Sequence, residues 1–225
     1  MRETSDMPRT IHQLFDLTGK TALIAGGSRG VGLQMAYALG EAGARLMLFA
    51  RQEDALEAAC AGLQAAGLDA RWVAADGTLE ADLQKLVSET LQRMGEIDIL
   101  VNNAGVTCAA PVQDQPVEVG DKLSTPNLHS MALLSQLVGT HSMIGRGGYI
   151  INLACNTSQD DVITFTRTLA GEWGKHHIQV NAILANGGDG EALKGVTVLL
   201  ASDAGKRITG QCLVVDGGAS VGLPG

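Results

Sequence analysis

The chain has 225 residues with 24 Asp and Glu against 16 Lys and Arg, and the resulting net charge of −8 opposes binding to a nucleic-acid backbone. At 45% hydrophobic but only 3% aromatic, it can bury one aliphatic core and offers few rings on which bases could stack. No apolar run is long enough to span a bilayer, residues 1–15 lack the apolar centre of a signal peptide, and Cys60, Cys108, Cys155 and Cys212 lie far apart without metal-ligand spacing. The reading is a cytoplasmic protein with reduced thiols, no metal, no nucleic-acid partner and no membrane segment.

In chain order, residues 1–16 read as a polar tail and residues 17–225 as one domain. After a turn at Asp16-Leu17-Thr18-Gly19-Lys20, the apolar run Thr21–Ala25 predicts a strand buried on both faces. A helix follows from Gly32 to Ala42, ended by Gly43, then a strand over Arg45–Ala50 and a helix over Glu53–Ala66, stopped by Gly67. Arg71–Ala75 predicts a third strand, Leu79–Met94 an amphipathic helix stopped by Gly95, and Ile97–Val101 a fourth strand. The second half reads as helix from about Val117 to Val138, strand Tyr149–Leu153, helix Ser158–His176, strand Gln179–Ile183, helix Glu191–Ala201 and strand Leu213–Val215. Such alternation implies a doubly wound α/β fold: a three-layer, Rossmann-type sandwich around a seven-stranded parallel sheet.

Ligands of such sheets bind at the carboxyl ends of the strands, where strand order reverses. The junction after the first strand, Gly26-Gly27-Ser28-Arg29-Gly30-Val31-Gly32, lets backbone N–H groups approach a pyrophosphate resting on the helix N-terminus. After the second strand, Arg51 either holds a 2′-phosphate together with Arg29 or is a solvated residue pairing with Glu53 or Asp54. After the third, Asp76 either accepts from an adenine amino group or caps the helix beginning near Leu79. After the fourth come Asn102, Asn103, Ala104 and Gly105, where small residues let the backbone lie along a cofactor and amides tie neighbouring strands together.

Together these pieces resemble the short-chain dehydrogenase/reductase family from about Leu17 to Gly218. The segment Ala25–Gly32 is similar to its Thr-Gly-x-x-x-Gly-x-Gly motif with Ala25 in place of Thr, and Asn102–Gly105 to its Asn-Asn-Ala-Gly motif. Val180-Asn181-Ala182 and Val215-Asp216-Gly217-Gly218 resemble its late signatures. The nearest wording is that of the branch containing gluconate 5-dehydrogenases and 3-oxoacyl carrier-protein reductases. The resemblance implies hydride transfer between a nicotinamide and a small-molecule carbonyl or alcohol, with NADP(H) as cofactor because Arg29 and Arg51 match the basic pattern. It implies cofactor contacts at Gly26, Ser28, Arg29, Gly30, Val31, Gly32, Arg51, Asp76, Gly77, Asn103, Ala104 and Gly105. It also implies a homo-oligomer, dimer or tetramer, in which the helices Val117–Val138 and Ser158–His176 pair with symmetry mates through Ala132, Leu133, Leu134 and Leu169.

The catalytic positions depart from the family pattern. Of its Asn, Ser and Tyr-x-x-x-Lys, only Asn127 is retained, behind a Pro126 that is expected to kink or split its helix. Cys155 stands at the Tyr position and Gln159 at the Lys, with the Ser and its loop deleted; an alternative alignment puts Cys155 at the Ser position and leaves the Tyr-Lys pair absent. A second gap follows Asn186. A thiol is a weak donor and Gln159 carries no charge to lower a donor's pKa, so activity is expected to be impaired. The alternative is a catalytically inactive NADP(H)-binding protein acting as a sensor or partner subunit. Tyr37, Tyr149 and the histidines are expected to lie away from the crevice.

Overall fold

A computed structural model describes residues 8–103, 118–154, 159–185 and 190–222, with 118–127 as helix backbone only. Its elements are α1 (Ile11–Phe15), β1 (Thr21–Ala25), α2 (Gly30–Glu41), β2 (Arg45–Ala50), α3 (Glu53–Ala65), β3 (Ala70–Ala74), α4 (Glu80–Met94) and β4 (Ile99–Asn102). There follow α5 (Glu118–Val138), β5 (Gly148–Ala154), α6 (Gln159–Trp173), β6 (Ile178–Leu184), α7 (Lys194–Ala201) and β7 (Cys212–Val214). The seven strands form one all-parallel sheet in the order β3-β2-β1-β4-β5-β6-β7, with Ala22 of β1 opposite both Leu46 of β2 and Ile99 of β4.

Alternation along the strands builds both hydrophobic layers. On β1, Ala22 and Ile24 join one core with Met35 and Leu39 of α2, Leu56 and Leu63 of α3 and Leu200 of α7. The intervening Leu23 and Ala25 join the opposite core with Leu83 and Leu86 of α4, Leu134 and Val138 of α5 and Leu169 of α6. A central strand covered on both faces has no solvent side, which is why its sequence is continuously apolar.

Strand order reverses between β1 and β4, so a crevice opens at their carboxyl ends. The opposite end of the sheet is pinned by charge. The buried carboxylate of Asp98 accepts from the Thr21 N–H at 2.9 Å, from Lys20 Nζ at 3.3 Å and from Arg146 Nη2 at 3.4 Å. Nearby, the Tyr149 hydroxyl donates to Asp203 at 3.0 Å, and Arg9 forms an ion pair with the same carboxylate.

Several boundaries differ from the sequence reading. The expected polar tail contains α1, whose five residues are too few to show periodicity; its signal is the capping box of Thr10 and Gln13. The first helix begins at Gly30, so two of the motif's glycines lie in its first turn. β5 continues to Ala154, and α6, described from Gln159, passes at Trp173 into a 3₁₀ turn ending at His176. The helix expected over Glu191–Ala201 opens as a 3₁₀ turn, Gly190–Leu193, before α7. α5 is not split at Pro126 but runs on to Val138, where a π-helical turn, Gly139–Met143, continues it.

Candidate functional site

The turn that leaves β1 is packed against the end of β4. Gly26 has φ +63° and its N–H bonds to the Phe49 carbonyl of β2 at 2.9 Å, while the Asn103 side-chain amide donates to the Gly26 carbonyl at 3.3 Å. Gly32 faces this arrangement so closely that a Cβ there would lie 2.3 Å from the Gly26 oxygen and 2.4 Å from Asn103 Nδ2. A side chain at Gly32 would push α2 off the turn, and one at Gly26 would press on Asn103 at 2.9–3.0 Å. The sequence places glycine here for an approach between backbone segments, as expected.

This packing leaves the start of α2 facing the crevice. Arg29, at the N-cap, has an extended backbone, and no side chain caps the helix. The first-turn N–H groups are thus available to an anion, and the partial positive charge of a 12-residue helix favours one. Ser28 and Val31 flank the turn, both half-buried, and Gly30 has open space around its Cα.

Arg29 and Arg51 are exposed, and among the described residues neither guanidinium takes part in an ion pair. The alternative in which Arg51 pairs with Glu53 or Asp54 is not what the fold shows: those carboxylates sit in the first turn of α3, where the helix dipole favours them. Asp76 is not the cap of α4 either. Its Oδ1 accepts from the Thr78 N–H at 2.9 Å and the Thr78 hydroxyl at 2.8 Å, and the N-cap of α4 is Leu79. These two bonds hold the Asp76 carboxyl below the usual carboxylate range, and the Arg51 charge adds to the effect. Gly77 beside it is half-buried near Phe49.

At the other positions singled out from sequence, Ala104, Gly105 and Cys155 lie outside the described residues, as does the Asn127 side chain, whose backbone is within α5. Gln159 is half-buried and is the first described residue of α6. The two tyrosines are committed elsewhere, as expected. Tyr149 is held at the amino end of the sheet, where burial and then the Asp203 carboxylate push its phenol well above the ordinary tyrosine range. Tyr37 lies on α2 beneath Lys194, whose Nζ is 5.8 Å from the ring centre. His129 and His141 are exposed, and no group of His, Cys, Asp and Glu with metal-holding geometry occurs among the described residues.

The expected tie between neighbouring strands at Asn102 and Asn103 is present, and it extends into a buried polar chain just below the crevice whose other members, Ser135, Asn152 and Thr166, the sequence reading did not name. Asn102 Nδ2 donates to Ser135 Oγ of α5 and to Asn152 Oδ1 of β5, both at 2.9 Å, and Asn152 Nδ2 donates to Thr166 Oγ1 of α6 at 2.9 Å. The available signal was Asn152 itself: an amide inside an apolar strand covered on both faces must find buried partners.

The chain matches the family model described as short chain dehydrogenase over residues 20–196. It is 32% identical to the gluconate 5-dehydrogenase of Gluconobacter oxydans, covering 93% of this chain and 98% of that protein. That alignment runs over 253 positions, more than the 225 residues present here, so the relative carries residues that this chain lacks. Among solved structures, a short-chain dehydrogenase/reductase from Mycobacterium marinum superposes with a TM-score of 0.86 at 30% identity, covering 95% of this chain and 100% of the other. A gluconate 5-dehydrogenase from Burkholderia cenocepacia, solved with NADP and tartrate, gives a TM-score of 0.83 at 28% identity, with coverage of 95% and 100%.

Proposed function

Because the chain belongs to the short-chain dehydrogenase family, we propose that it binds NADP(H) at the carboxyl ends of β1 and β4 and carries out carbonyl or alcohol hydride transfer in impaired form. The observation that carries the binding reading is the side-chain-uncapped start of α2 beside two guanidinium groups free of ion pairs among the described residues, Arg29 and Arg51. The Gly26–Gly32 backbone receives the pyrophosphate, Arg29 and Arg51 take the 2′-phosphate in charge-assisted bonds, and Asp76 faces the adenine amino group. Bound there, the nicotinamide supplies or accepts the hydride. Asn103 keeps the turn open for it by holding the Gly26 carbonyl.

The proton is where this chain falls short. Reduction of a carbonyl needs a donor in hydrogen-bond reach of its oxygen, and the residues at the family's Tyr and Lys positions are Cys155 and Gln159. A thiol donates weakly, and an uncharged amide does not lower the pKa of a neighbouring donor. The uncharged Gln159 at the head of α6 therefore also supports a second reading, an NADP(H)-binding protein without turnover that acts as sensor or partner subunit. If active, its substrate is a small carbonyl or alcohol, and the sugar acids of gluconate 5-dehydrogenases are the first class to try.

We also infer a cytoplasmic homo-oligomer with a two-fold interface on α5 and α6. Leu134 and Leu169, at 2% and 8% exposure, belong to the interior, so the half-buried Ala132 and Leu133 are the apolar residues left to such an interface. The binding reading is tested by calorimetric titration with NADPH and with NADH at moderate salt. Tighter NADPH binding is expected, and absence of binding by either nucleotide overturns it.

A further inference from the structure

Four elements meet at the floor of the crevice, and each leads to a residue singled out for the site. β4 runs into Asn103, β5 ends one residue before Cys155, α5 contains Asn127 and α6 begins with Gln159. One unbroken chain of buried side-chain hydrogen bonds crosses all four: Ser135 on α5, Asn102 on β4, Asn152 on β5 and Thr166 on α6. All four are buried, Asn152 and Ser135 completely and Thr166 at 1% exposure. Asn102 and Asn152 are also direct partners in the β4–β5 register.

Most of what holds α6 to the sheet is not directional. Its inner face buries Val162, Leu169 and Ala170 besides Thr166, and aliphatic contacts tolerate small rotations of a helix about its axis. The bond from Asn152 to Thr166 does not, since a buried amide N–H that loses its acceptor pays the desolvation of that group. Gln159 and Thr166 are seven residues apart, almost two full turns, so they lie on nearly the same stripe of the helix. The phase fixed at Thr166 is therefore the phase at Gln159. A rotation of about 20° would move a side-chain tip roughly 2 Å, enough to spoil contact with a bound nicotinamide.

We propose that Asn152 and Thr166 are positioning residues that set the rotation of α6, and with it the nicotinamide half of the site, relative to Asn102 and the phosphate-binding turn. The proposal rests on the NADP(H) reading for its functional arm and on the fold alone for its structural arm. The adenine half, built on β1, β2 and β3, has no member of this chain of bonds.

The experiment compares Thr166→Val, which keeps the shape and removes the acceptor, with Thr166→Ser, which keeps the acceptor. Calorimetry is done with NADPH and with 2′,5′-ADP, which lacks the nicotinamide half. Thr166→Val is expected to weaken NADPH about fivefold or more while 2′,5′-ADP stays within about twofold, and Thr166→Ser is expected to restore NADPH binding. Equal loss for both ligands, or no loss, overturns the proposal. Amide hydrogen exchange of the unliganded variants is read alongside. Faster exchange confined to α6 and the end of α5 is expected for Thr166→Val, and unchanged or uniformly faster exchange contradicts it. If the parent binds neither ligand, the NADP(H) reading fails by itself, and the exchange comparison still decides whether these residues position α6.

Discussion

The side-chain amide of Asn103 donates to the carbonyl of Gly26 at 3.3 Å, joining the end of β4 to the turn that leaves β1 at the point where strand order reverses. Gly32 closes over that bond, with no room for a Cβ between it and the Gly26 oxygen. Gly32→Ala must therefore displace backbone, not merely a flexible side chain. The expected outcome is a loss of stability of about 1–3 kcal/mol in denaturant unfolding, with NADPH affinity reduced at least tenfold in the folded protein. A variant with parental affinity would show that the turn is not where the phosphates rest.

Arg29 and Arg51 lead to a prediction about cofactor choice. Each charge-assisted contact to a 2′-phosphate contributes at most roughly 1.5–3 kcal/mol, less where solvent screens it. Arg51→Ala is expected to lower NADPH affinity about tenfold and leave NADH affinity nearly unchanged, with the preference narrowing as salt rises. Calorimetry at two salt concentrations measures both. Equal affinity of the parent for the two nucleotides contradicts the assignment.

How much of this was legible in the sequence depended on what each residue had to satisfy locally. β1 and β2 read correctly because strands covered on both faces are continuously apolar; β4 was found but is Ile99–Asn102, not the expected Ile97–Val101; and the glycine junction read correctly because Gly26 and Gly32 answer to backbone contacts. The outer face of α5 and α6 did not. Whether Leu134 and Leu169 face the sheet or solvent depends on the rotation of each helix, which a row of small and apolar residues leaves open. Nor could the partners of Asn152 be named, since Asn102 and Thr166 lie 50 and 14 residues away and meet it only through the fold.

The β3 edge supplies a prediction about association. The Asp69 carbonyl faces β2, where it accepts from the Leu46 N–H, so the carbonyls of Ala70 and Trp72 point outward. Both are taken by side chains, Ala70 by Gln64 Nε2 at 2.8 Å and by the weaker Cys60 thiol donor at 3.1 Å, and Trp72 by Arg93 Nη1 at 3.2 Å, along a groove of about 570 Å³ between α3 and α4. Removing these caps with Gln64→Ala, Cys60→Ala and Arg93→Ala is expected to raise concentration-dependent association in light scattering, because an open edge pairs with another chain. An unchanged profile would show that the edge is protected by other means.

Acid stability follows from the amino end. The Arg9 hydrogen bond and ion pair, and then the Tyr149 hydroxyl, lower the Asp203 carboxyl below its ordinary pKa. A group whose folded pKa is depressed stabilises the fold fully above its unfolded pKa, and that contribution is lost as pH falls through the folded value. Thermal melts are expected to show the parent losing stability from about pH 4 downward, with Asp203→Asn less stable at neutral pH and flatter below it. Parallel curves would mean that Asp203 adds nothing.

Under the proposed function, this chain binds NADP(H) but lacks the Tyr-Lys pair that delivers the proton. The direct measurement is NADPH bound, by calorimetry, and NADPH oxidised, in a steady-state assay over ketones and sugar acids, on one preparation of the parent and of Cys155→Tyr with Gln159→Lys. Restoring the Tyr and Lys returns a donor and the charge that lowers its pKa. It does not return the Ser and the segment after Asn186 that the family resemblance implies are missing, so substrate is expected to remain poorly held. Both proteins are expected to bind NADPH and to oxidise it slowly with every carbonyl offered. Robust turnover by the parent would contradict this by showing that another residue delivers the proton.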